Sequence, residues 1–255
     1  MMAVKPKKCR FGKNFQEMKI ALVGYGKMGK AIEEIALQRG HSIILKTSID
    51  NLEDNTIENI RKADVAIEFT GPESAYGNIR LCMEAGVPVV SGSTGWLDKY
   101  EEISNYCQKE GKTFLYASNF SVGVNIFFEV NKRLAELMAP HNGYDVQITE
   151  IHHTEKKDAP SGTAISLAGQ VLEKIHRKKR WVNHNSDNLE ELTILSERID
   201  PAPGTHLVRY HSEIDDIEIV HTAHNRKGFA SGAVLAAEYI RDKKGVFQMK
   251  DVLGF

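Results

Sequence analysis

The sequence holds little that could cross-link a fold. Its three cysteines, Cys9, Cys82 and Cys107, are widely spaced with no Cys-x-x-Cys pair, which excludes a disulfide framework and a zinc knuckle and fits a reducing compartment. An excess of charge of one sign is missing too. Lys plus Arg (33) and Asp plus Glu (34) leave a formal net charge of −1, so no global field draws the chain to nucleic acid or anionic lipid. No run approaches the roughly 18 apolar residues of a membrane span. The first 17 residues are basic (Lys5, Lys7, Lys8, Arg10, Lys13) but lack the apolar stretch of a secretory signal. These absences predict a cytoplasmic protein with neither nucleic acid nor membrane as partner, and residues 1–17 are an extension with no assigned role. Internal repeats and low-complexity tracts are absent as well.

What remains is ordinary globular composition, 42% hydrophobic and 26% charged over 255 residues, enough for one large or two modest domains. From Lys19 short apolar runs alternate with helical stretches, the pattern of a parallel sheet wrapped by helices. Strands are predicted at Lys19–Val23, Ser42–Thr47, Asp64–Phe69, Val87–Ser91 and Thr113–Ala117, nearly continuous apolar runs that suit strands covered on both faces. The first helix carries Met28, Ala31, Ile32, Ile35 and Ala36 on one face and stops at Gly40; others are expected at Glu73–Ala85 and Leu97–Glu110, stopped by glycines. A long helix near Gly123–Met138, a strand at Asp145–His152 and a helix at Thr163–Ile175 follow. After a polar stretch, 176–191, come strands at Glu191–Ile199, Thr205–His211 and Ile217–Ala223, and a last helix at Gly232–Ile240. The short link between the last two strands implies antiparallel pairing in a mixed sheet. The fold class is therefore α/β, a Rossmann-like doubly wound parallel sheet plus a smaller α+β domain with an open mixed sheet. The domains are expected at 18–121 with 232–255 and at 122–231.

Directly after the first strand stands Gly24-Tyr25-Gly26-Lys27-Met28-Gly29, a G-x-G-x-x-G in the strand–turn–helix context its mechanism requires. The first glycine allows the tight turn, the second lets backbone approach a pyrophosphate, and the third lets helix and strand pack closely, with free N–H groups of the helix N-terminus aimed at the anion. No carboxylate follows the second strand at the offset that reads a ribose 2′-hydroxyl. Lys46 stands there and Asp50 is slightly late, so NADH and NADPH both remain open. Ser91-Gly92-Ser93-Thr94-Gly95 and Asn119-Phe120-Ser121 follow the fourth and fifth strands at the same edge, and three such loops together make a dinucleotide crevice.

Residues 150–164 read Glu-Ile-His-His-Thr-Glu-Lys-Lys-Asp-Ala-Pro-Ser-Gly-Thr-Ala. Titratable donors at a strand end thus sit beside a helix that opens Ser161-Gly162-Thr163. Proton donor and anion site become neighbours. Adjacent histidines of a strand point to opposite faces and rarely chelate one ion, so no metal is expected.

The chain resembles the dihydrodipicolinate reductase family. The resemblance rests on His-His-x-x-Lys-x-Asp-Ala-Pro-Ser-Gly-Thr-Ala from His152 to Ala164, on the glycine-rich turn and the Gly-Ser-Thr-Gly loop. It also takes in Ala117-Ser118-Asn119-Phe120-Ser121-Val122-Gly123-Val124-Asn125 and Phe229-Ala230-Ser231-Gly232-Ala233. It implies a nicotinamide-dependent enzyme of the diaminopimelate route to lysine, reducing a small cyclic imine that carries two carboxylates. His152 would be the acid/base group and Lys156 a second proton donor, with His153, Gly162 and Thr163 on substrate. Gly24, Tyr25, Gly26, Lys27, Met28 and Gly29 would hold the cofactor, NADH or NADPH, together with Gly92, Ser93, Thr94, Ala117, Ser118, Asn119 and Phe120. Phe69 and Thr70 would lie near the nicotinamide. It further implies a C-terminal helix returning to the nucleotide domain and tetramers formed through the open sheets. Thr154 and Glu155 depart from residues common in the family, several of them basic. Two rivals stand: another two-domain nicotinamide oxidoreductase, which lacks the His-His segment, and a dinucleotide-sensing protein without chemistry, which would leave His152 and Lys156 idle.

Overall fold

The structure is a computed structural model that describes residues 16–225 and 227–255. The expectations placed on residues 1–15, Cys9 among them, lie outside the described residues. The chain runs β1 (Lys19–Val23), α1 (Lys27–Gln38), β2 (Ser42–Thr47), α2 (Ile57–Ile60), β3 (Val65–Glu68), α3 (Pro72–Glu84) and β4 (Val89–Ser91). There follow α4 (Tyr100–Lys109), β5 (Thr113–Tyr116), α5 (Val122–Met138), β6 (Asp145–His152), α6 (Gly162–Lys174), β7 (Arg180–Val182) and β8 (Glu191–Arg198). Last come β9 (Thr205–His211), β10 (Asp216–Thr222), α7 (Lys227–Ile240), β11 (Gly245–Phe247) and α8 (Met249–Leu253).

The first sheet has six parallel strands in the order β11-β5-β4-β3-β1-β2. Strand β1 sits between β2 and β3, so the chain reverses its winding there, and the crevice beyond the carboxyl ends of β1 and β3 is the natural ligand position. The central strands are buried on both faces: α1 and α7 cover one, α3 and α4 the other. Helix α7 is nearly all apolar and small on its buried residues, Ala230, Gly232, Ala233, Ala236 and Ala237. A Cβ on Gly232 would come within 1.7 Å of the Phe120 carbonyl oxygen, so only glycine lets α7 lie against the β5–α5 link. Glu238 of α7, almost fully buried, is held by Arg39 at 2.6 Å and His41 at 2.9 Å. A buried carboxylate paired this way ties the returning helix to the end of α1.

The second sheet, β10-β9-β6-β8-β7, is mixed: β6, β8 and β7 are parallel, while β9 runs antiparallel to both β6 and β10. Helices α5 and α6 cover one face through Phe127, Ala135, Leu167, Ala168 and Val171, packed on Val146, Ile148, Ile194, Val208 and Tyr210.

Four features differ from the sequence expectations, the first being the one-turn helix α2 between β2 and β3. The polar stretch 176–191 contains β7, an edge strand of three residues, too short to show a period. Helix α7 begins at Lys227, five residues ahead of the expected Gly232. The tail adds β11 to the edge of the first sheet and ends in α8.

Candidate active site

At the carboxyl edge of the first sheet the turn after β1 is fixed by close backbone contacts. Gly24 has φ +101°, and a Cβ there would lie 2.1 Å from the Phe69 carbonyl oxygen; one on Gly29 would lie 2.4 Å from the Gly24 carbonyl oxygen. Gly26 is different, with nothing within 4 Å of where its Cβ would stand. Space is left where backbone must approach a pyrophosphate, while the glycines on either side hold the turn, so the residues present fit a dinucleotide. The Thr47 carbonyl accepts from the N–H groups of Gly24 and Tyr25, at 3.0 and 2.8 Å.

The neighbouring loops hang on a residue that sequence reasoning missed. Glu68 is completely buried and accepts from Ser91 Oγ at 2.6 Å, Ser93 Oγ at 2.7 Å and Thr70 N at 2.9 Å, with Thr70 Oγ1 also bonded to it. A carboxylate inside the apolar run Val-Ala-Ile-Glu of a strand covered on both faces was the available signal, because buried charge requires partners. Here it ties Phe69-Thr70 to Gly92–Thr94. Phe69 packs on Phe120 with ring centroids 5.6 Å apart, and a Cβ on Gly92 would strike the Phe69 ring at 2.2 Å. Phe120 itself is buried, and the Ser93 hydroxyl is spent on Glu68.

A cavity of about 730 Å³ joins the two sheets. Thr94, Ser118 and Asn119 line it from the first sheet; His152, His153, Lys156, Gly162 and Thr163 line it from the second. The turn Gly24–Gly29, Phe69, Thr70, Gly92, Ser93, Ala117 and Phe120 lie along the first sheet's edge and do not line this cavity. A second cavity of about 470 Å³ shares Ser118, Asn119 and Phe128 with it.

The strand period sets the chemistry on the second side. Glu150 and His152 are two residues apart and both face the helices, while His153 falls just past the end of β6. His152 turns Nδ1 onto Glu150 Oε2, which leaves Nε2 toward the cavity beside Gly204. Lys156 Nζ is gripped by both carboxylate oxygens of Asp158 at 2.7 and 2.8 Å. Ser161 caps α6, its Oγ accepting from Ala164 N at 3.2 Å, while its own N–H donates to Glu150 Oε1 at 3.3 Å. The Ile165 N–H already bonds Ser161 O, so Gly162 and Thr163 supply the open N–H groups of the first turn, and the helix dipole adds to their pull on an anion.

Burial alone would push the Glu150 carboxyl up, yet His152, Ser196 and Arg198 around it hold it down to about 2. Burial, helped by His152, pushes the His206 imidazole down from its ordinary 6.5 to about 4. Glu150, His152 and His206 offer ligand atoms within 4.8 Å of one another. A guanidinium already sits on this carboxylate and Ser161 Oγ lies 3.0 Å from His206 Nε2, so the trio reads as two histidines in edge contact, one held by Glu150 and one by Ser161, rather than an ion cage.

Two family models cover the chain, one for the dihydrodipicolinate reductase N-terminus over residues 18–120 and one for its C-terminus over 123–253. The chain belongs to the dihydrodipicolinate reductase family. It is 51% identical to the 4-hydroxy-tetrahydrodipicolinate reductase of Christiangramia forsetii, over 92% of this chain and 98% of that one. It is 36% identical to the Methanosarcina barkeri enzyme of the same name, over 82% and 79%. The solved dipicolinate-bound dihydrodipicolinate reductase from Paenisporosarcina sp. TG-14 shares the fold with TM-score 0.73 at 22% identity, over 91% of this chain and 98% of that one. A probable dehydrogenase from Thermotoga maritima aligns with TM-score 0.57 at 8% identity, over 92% of each chain. The reductase is thus an NAD(P)H-dependent oxidoreductase of the diaminopimelate route to lysine, acting on a small molecule.

Proposed function

We propose that this reductase converts the cyclic imine 4-hydroxy-tetrahydrodipicolinate to tetrahydrodipicolinate, the 4-hydroxyl leaving as water while the ring gains one hydride and one proton, with His152 as the group that holds the proton for the reduced ring. The observation that carries the reading is the shared cavity, which sets His152, Lys156 and the α6 N-terminus opposite Thr94, Ser118 and Asn119. The N–H groups of Gly162 and Thr163 bind a substrate carboxylate and His153 adds a contact, which fixes the ring beside His152 Nε2. Histidine suits the transfer because its proton is exchangeable near neutral pH. Lys156 serves as the second donor. The dinucleotide is held by Gly24–Gly29, Phe69, Thr70, Gly92–Thr94 and Ala117–Phe120, and its reduced nicotinamide supplies the hydride. Either NADH or NADPH serves.

The domains implied are 18–121 with 232–255 for the dinucleotide and 122–231 for the substrate. We take the functional unit to be a cytoplasmic homotetramer assembled through the second sheet. Its face away from α5 and α6 carries Gln147, Thr149, Ile151 and Leu207, half-buried in the single chain. Near-zero net charge and the absence, among the described residues, of any helix long and apolar enough to cross a membrane support a small-molecule partner rather than nucleic acid or membrane.

The test is reduced-cofactor oxidation by purified protein supplied with the imine from the preceding synthase, for wild type and His152→Gln. Turnover is expected to fall by roughly 10²–10⁴ in the variant, with cofactor affinity by calorimetry unchanged. A variant within a few-fold of wild type removes His152 from the chemistry.

A further inference from the structure

Glu150 stands at the centre of the second-sheet site, though a proton donor and an anion cradle do not by themselves require a buried carboxylate. It is completely buried. Sheet register places its neighbours: His206 on β9 lies opposite Glu150, and Arg198 on β8 lies opposite His152. One oxygen meets His152 Nδ1. The other accepts from Ser161 N at 3.3 Å and from Arg198 Nη2 at 3.1 Å. Arg198 also reaches the loop that carries the lysine, donating to the Asp158 carbonyl at 2.7 Å and the Lys156 carbonyl at 3.4 Å. His206 closes the circle, 3.0 Å from Ser161 Oγ and edge-on to His152 with ring centroids 5.1 Å apart.

An uncompensated carboxylate in such a place would be costly. This one touches the acid/base histidine, the cap of the substrate helix and the arginine that braces the lysine loop, so a single group fixes the relative position of all three. A carboxylate on Nδ1 also selects the tautomer that carries its proton there, so that Nε2, the atom facing the cavity, is the one that exchanges a proton with substrate. We propose that Glu150, held by Arg198, is a positioning residue that sets His152, the N-terminus of α6 and the Lys156 loop in register and fixes the tautomer of the His152 ring. The proposal rests on the reading that His152 supplies the proton. The charged and titratable groups facing that ring are Glu150 from β6, His206 from β9, Arg198 from β8, and His153, Lys156 and Asp158 from the loop beyond it.

The experiment compares Glu150→Gln, Glu150→Asp, His152→Gln and the Glu150→Gln/His152→Gln double variant as full-length protein. Fold is checked by thermal melts and by cofactor affinity. Glu150→Gln is expected to lower kcat by at least about tenfold and to raise the substrate KM. Cofactor affinity is expected to hold, and Glu150→Asp to restore part of the loss. In the His152→Gln background the same change should cost less than about twofold in kcat, because two residues that act as a unit are not additive. Should Glu150→Gln not fold, nitrogen-15 shifts of His152 in wild type decide the point: a neutral ring protonated at Nδ1 is expected, and one protonated at Nε2 overturns the proposal. It is overturned equally by a folded Glu150→Gln with unchanged kcat and substrate KM while His152→Gln loses a hundredfold. If His152→Gln itself keeps full activity, the proton-donor reading fails, and this proposal with it.

Discussion

Along the carboxyl edge of the first sheet, position is set by what side chains leave out. Gly24, Gly29 and Gly92 each sit where a Cβ would lie within 2.4 Å of a neighbouring atom, and the ligand side of the turn is bare backbone. At the second sheet the same task falls to side chains that are polar and buried: Glu150 and His152, braced by Arg198. A backbone site binds an anion with little sensitivity to pH and is written in glycine spacing. A side-chain site can carry a proton, and its stability and action vary with pH. The division suits a reductase, in which a dinucleotide must be held and a proton placed.

The sharpest break of that comparison is within the turn itself. Gly24→Ala puts a Cβ 2.1 Å from the Phe69 carbonyl oxygen at φ +101°, which is expected to cost on the order of 3 kcal/mol and to loosen cofactor and fold together. Gly26→Ala meets nothing within 4 Å. Its denaturation midpoint is expected to stay near wild type while the cofactor Kd rises about tenfold, or ~1.4 kcal/mol. Urea denaturation and calorimetry on the two variants check the split. Equal stability losses would mean that Gly26 serves the turn and not the ligand.

The same contrast explains what the sequence disclosed. The strand β1, its glycine turn and α1 were legible because glycine spacing and a helical apolar face are local signals. That His152, Lys156, Gly162 and Thr163 line one cavity was legible for the same reason, since they lie within twelve residues of one another. Glu68 and Glu150 were not, since their roles depend on partners 23 to 48 residues away, Ser91, Ser93 and Arg198. Strand register alone brings those together. The short strands β7 and β11 escaped because three residues cannot display a period; only the edges of the sheets define them.

A second test concerns acid. His206 titrates near 4 in the folded protein against an ordinary 6.5, so the unfolded chain takes up its proton first and folding stability falls as pH drops from 6.5 toward 4. The gap corresponds to about 3 kcal/mol. His221 on β10, pushed down by burial, adds in the same direction. Glu150, depressed to about 2, stabilises above its unfolded value and gives way only as pH falls from about 4.5 toward 2. Urea unfolding at pH 7, 5.5 and 4.5 should therefore show a steady loss that His206→Gln flattens. A loss of the same size in that variant would place the acid sensitivity elsewhere, with the Glu238 pair of the first sheet as the place to look.

The smallest effect lies at the far end of the turn, where backbone gives way to charge. No carboxylate follows β2 at the expected offset in sequence, but α1 delivers one: Glu33 Oε1 lies 2.6 Å from Lys46 Nζ, the Tyr25 hydroxyl is bonded to Glu33, and the ammonium sits 4.9 Å from the Tyr25 ring centroid. Hydrogen bonds from Lys46 and Tyr25 hold the Glu33 carboxyl below its ordinary range, so the pair is charged and close to neutral as a unit. A ribose hydroxyl and a 2′-phosphate then meet little net field, and exposed pairs of this kind contribute about 0–1 kcal/mol. The expected ratio of kcat/KM for NADH and NADPH is within about tenfold, and Glu33→Gln, which removes the anion and frees Lys46, should move it toward NADPH by about three- to tenfold. A wild-type preference for NADH above a hundredfold would instead make Glu33 or Asp50 a reader of the ribose. An unchanged ratio in Glu33→Gln would mean that the Lys46 pair lies outside the reach of the 2′ position.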